Sequence, residues 1–503
     1  MRKPKKQYPE NFRNMAGFST VVFTNVFATT VLGIFMMFLT DYSGIDSAIG
    51  QIGFAAAFGT IFLLITRIVD AIDDPLQGWL MDNAKERKFG KYRLFGILGT
   101  VMVTVGVVTL FAIPAGIKGN AVGLWIWTII GYLIMETGSA MSIALPILQK
   151  STTDAKVRTK ITSVIRFAMV IAAVPSTFFV TIVAAANGAD GNLGATATKV
   201  AVIFALVFAL ITFIGIALIK EPFHPAGSDD KKKNTLGFKA IWGMLKGNKP
   251  MWAHNIAYFL GNMNYTISAA VMAYFLKWYF CADLTTGAVD QVAFASLSGI
   301  YAIVTLLPNF LAPTLATTVI KFTKSVDKAM RFCMMSIAVL FGVMFLLAIT
   351  GILKSMPIVF FILYFLIMMP SGMGTIFNML LNIDCADYAE YKTGRNMTAI
   401  TNSVSNVVAK AQNAIGGVVP GILLVMVGYS VDSVTGAYAG DLANLPSMVS
   451  GLSVVAALIP ALLALVCALL YKFTYKVTPE FRAEITAELN KRHAEKQPNN
   501  TEA

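Results

Sequence analysis

Apolar residues in this chain gather in long runs, near 17–40, 48–80, 93–113, 121–149, 161–187, 197–219, 251–280, 291–316, 329–350, 357–383, 397–427 and 447–474. Each is about 20 residues or longer, the length an α-helix needs to cross a hydrocarbon core of roughly 30 Å. The runs do not alternate polar with apolar, as the strands of a membrane β-barrel do. The pattern predicts an all-α integral membrane protein with twelve transmembrane helices in two six-helix, pseudo-symmetric bundles. Several runs exceed the minimum span, which predicts tilted helices or helices that extend beyond the bilayer.

Composition agrees with this pattern. The 503 residues are 56% hydrophobic and 13% charged, against about 25% charged in a soluble protein. The net charge of +13 raises the question of nucleic acid, and its distribution answers it. On one side of the predicted membrane the tails and loops hold 33 Lys and Arg, and on the other only Lys118, Lys199 and Lys354. Arg67, Arg166, Lys277 and Lys410 fall within spans. By the positive-inside rule both termini are cytoplasmic, in a plasma-membrane protein. The basic charge then reflects topology and contact with anionic lipid, not nucleic acid.

A Pro-, Gly- and Lys-rich segment at 220–250 separates six spans from six. The expected organisation is an N-terminal bundle at 1–219, a cytoplasmic linker at 220–250, a C-terminal bundle at 251–476 and a cytoplasmic tail at 477–503. A faint internal repeat fits two related halves, because Pro75 precedes Arg93 by the same interval that separates Pro313 from Arg331. The basic N-terminus leads into an apolar run too long for a signal sequence, so it reads as a retained first span. Cys281, Cys333, Cys385 and Cys467 are scattered and show no metal or disulfide spacing. No metal-binding histidine spacing and no GxSxG elbow points to an enzyme.

The chemistry concentrates at Arg67–Arg93, RIVDAIDDPLQGWLMDNAKERKFGKYR. Ionisable groups within a span are costly, face the protein interior and mark function. At 100° per residue Asp70 and Asp74 lie about 40° apart on a helix, with Asp73 about 60° from Asp70 on the flank. Carboxylates suit Na⁺ or a carried proton. A structural ion pair with Arg67 is the plainer alternative, although three acids exceed what one base needs. Lys410 is a lone base in an apolar run. Glu136 and Arg166 are further charges within spans, and they also read as a simple pair. Asn262, Asn264, Asn378, Asn382, Asn402, Asn406 and Gln412 suit sugar hydroxyls. For any single amide, a hydrogen bond between helices is the better reading. Lys277, beside Trp278 and Tyr279, reads as an interfacial anchor.

The second half of that stretch, Gly78, Asp82, Arg87, Gly90, Lys91 and Arg93, resembles the cytoplasmic loop signature of the major facilitator superfamily. DAIDDPLQGWLMDNAKERKFGKYR as a whole resembles the helix 2 motif of the glycoside–pentoside–hexuronide:cation symporters. DCADYAEYKTGR at 384–395, with Lys410 following Lys392 by 18 residues, resembles that family's helix 10–11 connection. LIMETG around Glu136 is a weaker match.

The resemblance implies a secondary active transporter that couples Na⁺ or H⁺ to symport of a sugar or glycoside by alternating access. It needs no cofactor beyond the coupling ion and is read as a monomer. Asp70 and Asp74 match the cation site, holding Na⁺ if sodium is the coupling ion, and Asp73 stands where Asn is frequent. Lys410 and Arg67 balance charge, and Asn25, Glu136, Arg166 and Asn406 face the substrate. Gly78, Asp82, Arg87, Lys91, Arg93, Asp384, Asp387, Glu390, Lys392 and Arg395 serve the cytoplasmic gate, the acids of 384–390 pairing with Lys392 or Arg395. The chain departs from the family pattern at Asn25, where a sugar-binding aspartate is usual, at Leu133, in place of a threonine near the cation, and near Ala140, in place of a tryptophan. An H⁺-coupled carrier of a hexuronide or other organic solute is the alternative. A non-transporting membrane sensor would lose the coupling acids or gain a signalling domain, and this chain keeps the acids.

Overall fold

The computed structural model describes residues 10–84, 89–151, 155–187, 191–221, 246–394, 398–426 and 429–495, with backbone alone at 67–79, 82–83, 91, 406 and a few other positions. Among the described residues the architecture is helical. Each apolar run lies on helix: Phe12–Thr20 with Phe23–Met37, Phe54–Asn83, Lys91–Phe111, Ala121–Ala140, Ala155–Thr177 with Phe179–Asn187, Leu193–Leu218, Lys249–Phe275, Gln291–Thr323, Val326–Ile349, Pro357–Thr393, Thr398–Met426, and Leu445–Ser453 with Ile459–Thr474. Among the described residues nine helical stretches are long and apolar enough to cross a membrane. Phe54–Thr66, the start of Phe54–Asn83, is a shorter apolar helix outside that nine.

Three runs are interrupted by a π-helical turn, Phe38–Tyr42, Leu276–Phe280 and Val454–Leu458. Such turns re-aim side chains and recur at functional positions. The predicted 121–149 run breaks at Met141–Ile143, and a separate helix, Ala144–Ser151, follows.

Two compact units divide the chain. The first comprises Met1–Lys231, Leu276–Ala302 and Gly421–Met448, the second Lys232–Phe275, Ile303–Pro420 and Val449–Ala503.

In the first unit, Lys91–Phe111 packs along Ala121–Ala140 and Leu193–Leu218. The first of these contacts is set by glycines. A Cβ at Gly138 would meet the Gly99 carbonyl oxygen at 2.7 Å, and one at Gly106 would meet the Met135 backbone nitrogen at 2.5 Å. Small residues let helix backbones approach where hydrophobic exclusion from water is absent. Gly138→Leu is therefore expected to cost about 1–3 kcal/mol by overpacking. Gly342→Ala, where nothing lies within 4 Å of the added carbon, is expected to gain about 0.5–1 kcal/mol from reduced chain entropy. Thermal unfolding in detergent checks both signs.

A buried threonine pair ties the first helical run to Leu193–Leu218. The Thr24 hydroxyl donates to Thr212 Oγ1 at 2.8 Å and lies 3.1 Å from the Phe208 carbonyl. In the second unit, Lys249–Phe275 packs on Ile459–Thr474, and Val326–Ile349 packs on both Pro357–Thr393 and Ile459–Thr474.

Two short hairpins close the loops that follow 276–280 and 421–426. They share the pattern Asp-x-x-Thr-Gly-Ala at 283–288 and 432–437 and the same bonding, each with one antiparallel bridge. The glycine, Gly287 or Gly436, sits at positive φ. Its N–H donates to the carbonyl of Asp283 or Asp432. The Asp432 carboxyl accepts from the backbone and hydroxyl of Thr435 and from the Val434 N–H, which hold it below the usual carboxylate range. The hairpins also join each other, Tyr438 N–H donating to the Gly287 carbonyl at 2.9 Å.

Candidate functional site

The helix that carries the predicted cation site starts from a firm base. Gly53 precedes it at φ 77°, and the buried Asp46 carboxylate accepts from the N–H groups of Gly53 at 3.1 Å and Ala55 at 2.7 Å. A carboxylate suits that position, because the first N–H groups of a helix lack partners and the local dipole is positive. The helix then runs unbroken to Asn83. The Tyr132 hydroxyl donates to the Thr66 carbonyl at 3.3 Å, fixing Ala121–Ala140 against it one residue before Arg67. The backbone thus places Arg67, Asp70, Asp73, Asp74, Gly78 and Asp82 on one continuous helix. Their side chains, and those of Lys91 and Asn406, lie outside the described residues, as do Arg87 and Arg395 altogether.

Three of the predicted substrate residues belong to the first unit. Asn25 is half-buried and its amide donates to the Ser139 carbonyl at 3.0 Å. This joins the first helical run to the end of the helix carrying Glu136, one turn earlier. Glu136 is half-buried, and Arg166 is exposed on Ala155–Thr177. Leu133, where the family has threonine, is also exposed.

In the second unit Lys410 is half-buried on Thr398–Met426. Two of the amides join helices, Gln412 and Asn382, whereas Asn264 donates to the Gly261 carbonyl of its own helix. Gln412 is fully buried and its amide donates to the carbonyls of Tyr258 and Phe259, both at 2.8 Å. Ser405 donates to Asn382 Oδ1 at 2.7 Å. His254, also fully buried, shares a 2.7 Å hydrogen bond with the Tyr471 hydroxyl.

At the predicted cytoplasmic gate, Arg93 is locked in place. Its N–H donates to the Glu221 carboxylate at 3.1 Å and its Nε to the Ile216 carbonyl at 3.1 Å. The guanidinium stacks over Phe89 at 4.4 Å. Gly90 sits at φ 109°, a conformation that strains any other residue, and a Cβ there would also press on the Glu221 carboxylate.

Asp384 pairs with Arg482, a partner from outside its own loop that the sequence did not point to. The reason is that the tail is ordered. Pro479–Glu495 is a helix that lies on the end of Pro357–Thr393. There the Tyr391 hydroxyl donates to Glu484 at 3.2 Å, and Arg492 donates to the Tyr391 carbonyl at 3.1 Å. Asp387 and Glu390 are half-buried, and Lys392 is exposed with its ammonium 6.0 Å from the Tyr388 ring.

One cluster escaped the sequence reading. Lys277 is not an interfacial anchor. Its ammonium donates to Asp41 Oδ2 at 2.6 Å, and both residues are at most 2% exposed. The Tyr429 hydroxyl lies 2.9 and 3.1 Å from the two Asp41 oxygens, and Thr40 donates to Asp41 Oδ1 at 2.7 Å. Trp278 Nε1 donates to the Tyr429 hydroxyl at 2.9 Å. Asp41 and Lys277 each sit in a π-helical turn, and all these residues belong to the first unit. A signal was available. An acid and a base stand at the same end of the first and seventh apolar runs, each without a charged neighbour in sequence.

Over residues 15–479 the chain matches the family described as MFS/sugar transport protein. It is 27% identical to the isoprimeverose transporter of Lactiplantibacillus pentosus, over 84% of this chain and 83% of that protein. It is 24% identical to the symporter YnaJ of Bacillus subtilis, uncharacterized, over 87% and 85% respectively. Its fold resembles the crystal structure of the nucleoside transporter NupG, with a TM-score of 0.56 at 16% identity, covering 91% of this chain and 99% of that one. These are multi-pass membrane transporters rather than enzymes. The chain belongs to the MFS/sugar transport protein family, within which its helix 2 and 384–395 motifs are those of the glycoside–pentoside–hexuronide:cation symporters.

Proposed function

We propose that this protein is a cation-coupled sugar or glycoside symporter of the plasma membrane. It has twelve spans in two pseudo-symmetric halves, both termini are cytoplasmic, and it works as a monomer by alternating access. The observation that carries the reading is the triad Asp70, Asp73 and Asp74 on one continuous helix, in a chain whose relatives bear the names of sugar transporters. The coupling cation, Na⁺ or H⁺, binds these carboxylates, and Lys410 and Arg67 balance their charge. Neutralising the acids favours sugar binding by Glu136, Arg166, Asn25 and Asn406. By linkage each ligand raises the affinity for the other by the same factor.

The second reading is an H⁺-coupled carrier of a hexuronide. Asp73, a third acid where relatives often carry an amide, favours the proton, and Arg166 offers a partner for a carboxylate substrate. Counterflow in proteoliposomes separates the two. Vesicles preloaded with neutral glycosides are expected to accumulate the labelled sugar, with a dependence on Na⁺ or pH. Counterflow with glucuronides alone selects the second reading, and no counterflow with any sugar refutes both.

A further inference from the structure

We propose that the buried Asp41–Lys277 pair is the latch of the outer gate, made in the closed state and broken each time the transporter opens outward. The proposal rests on the alternating-access reading and on the cytoplasmic termini, which together put the ends of the first and seventh apolar runs on the outer side.

Four observations carry it. The pair joins residues 236 apart in sequence. It is held from a third direction by Tyr429, itself fixed by Trp278. A second contact joins the same two sets of segments, the Gly194 N–H donating to the Ser433 carbonyl at 3.0 Å. Finally, segments 276–302 and 421–448 belong to the second half of the sequence but to the compact unit of the first. Outward opening has to separate them from the Phe38–Tyr42 turn, and the charges meet at that boundary.

A buried ion pair is a suitable latch because its net contribution is small while each half alone is costly. The attraction roughly offsets the desolvation of two charges, but a single buried charge is left uncompensated. Opening lets water reach both groups. Removing one partner therefore drives the gate open, and removing both lets it close again. Asp41 and Lys277 are positioning residues here, with no substrate contact required.

Cys281 reports the state. It is buried, and its N–H donates to the Lys277 carbonyl at 3.2 Å. Intact cells expressing the full chain are treated with a membrane-impermeant maleimide, and each cysteine is read by peptide mass spectrometry. Asp41→Asn and Lys277→Met are each expected to raise Cys281 labelling at least about tenfold through a shift toward the open state. The double variant Asp41→Asn/Lys277→Met returns it to the wild-type level. Cys333 and Cys467, buried in the second unit, stay protected throughout.

Unchanged Cys281 labelling in the folded single variants overturns the proposal. Labelling of all three cysteines together also overturns it, since that is general loosening. If neither single variant folds and the double variant does, the pair is a packing requirement and the proposal falls. The assay uses neither sugar nor cation, so a failure of the symport reading, seen in counterflow, is distinguishable from a failure of the latch.

Discussion

Asp70→Ala and Asp74→Ala together are expected to abolish the dependence of sugar uptake on the coupling cation. A coupling free energy of about 1–3 kcal/mol corresponds to roughly 5–150-fold stimulation at saturating cation, and the double variant shows none. The helix itself survives. Its start is capped by Asp46 and its middle is held by Tyr132, and neither contact involves the acids. Loss of function therefore comes with a protein that still inserts and still unfolds cooperatively. Uptake against Na⁺ concentration at fixed pH, and against pH without Na⁺, is the measurement. Cation-dependent uptake that survives the double substitution would falsify the assignment. Asp73→Asn separates the ions: activity retained with Na⁺ and lost with H⁺ makes Asp73 the proton carrier.

The second large effect is on stability, at the ion pair. Lys277→Met leaves the Asp41 carboxylate without its cation, and removing one partner of such a pair costs up to about 3–5 kcal/mol, a loss capped by the free energy of opening the gate to water. Tyr429 and Thr40 remain as hydrogen-bond partners and soften the loss. Asp41→Asn/Lys277→Met leaves no charge, and the amide still accepts from Tyr429, so it is expected to unfold within about 1 kcal/mol of wild type. Thermal unfolding of the purified protein in detergent reads both. A single variant as stable as the double would show that water already reaches the pair.

Much of the architecture was legible because a bilayer is a severe solvent. Backbone groups in hydrocarbon have to bond within their own helix, so apolar length translates almost directly into helix. The family motif likewise needed only local spacing, Asp70 to Asp74 and Lys392 to Lys410. What the sequence concealed was long-range pairing. Asp41 and Lys277 meet through backbone geometry, two π-helical turns, that apolar periodicity does not encode. The partner of Asp384 was hidden for another reason. Nearby Lys392 and Arg395 are the obvious bases by distance along the chain, whereas Arg482 arrives on a tail helix whose polar composition resembles a solvated end. Asn25 was legible as a position and not as a contact, since its bond to Ser139 uses a backbone carbonyl that any residue would offer.

The two hairpins suggest how the protein could be captured in one state. They are stitched to each other through Tyr438 and Gly287, and the second is stitched separately to Gly194 through Ser433. An antibody fragment raised against the joint surface of the hairpins would bind every state in which they travel as one piece. A fragment whose footprint spans Ser433 and Gly194 would recognise only the arrangement with that contact intact. Selecting for the second and against the first would yield a conformational probe without any ligand being known.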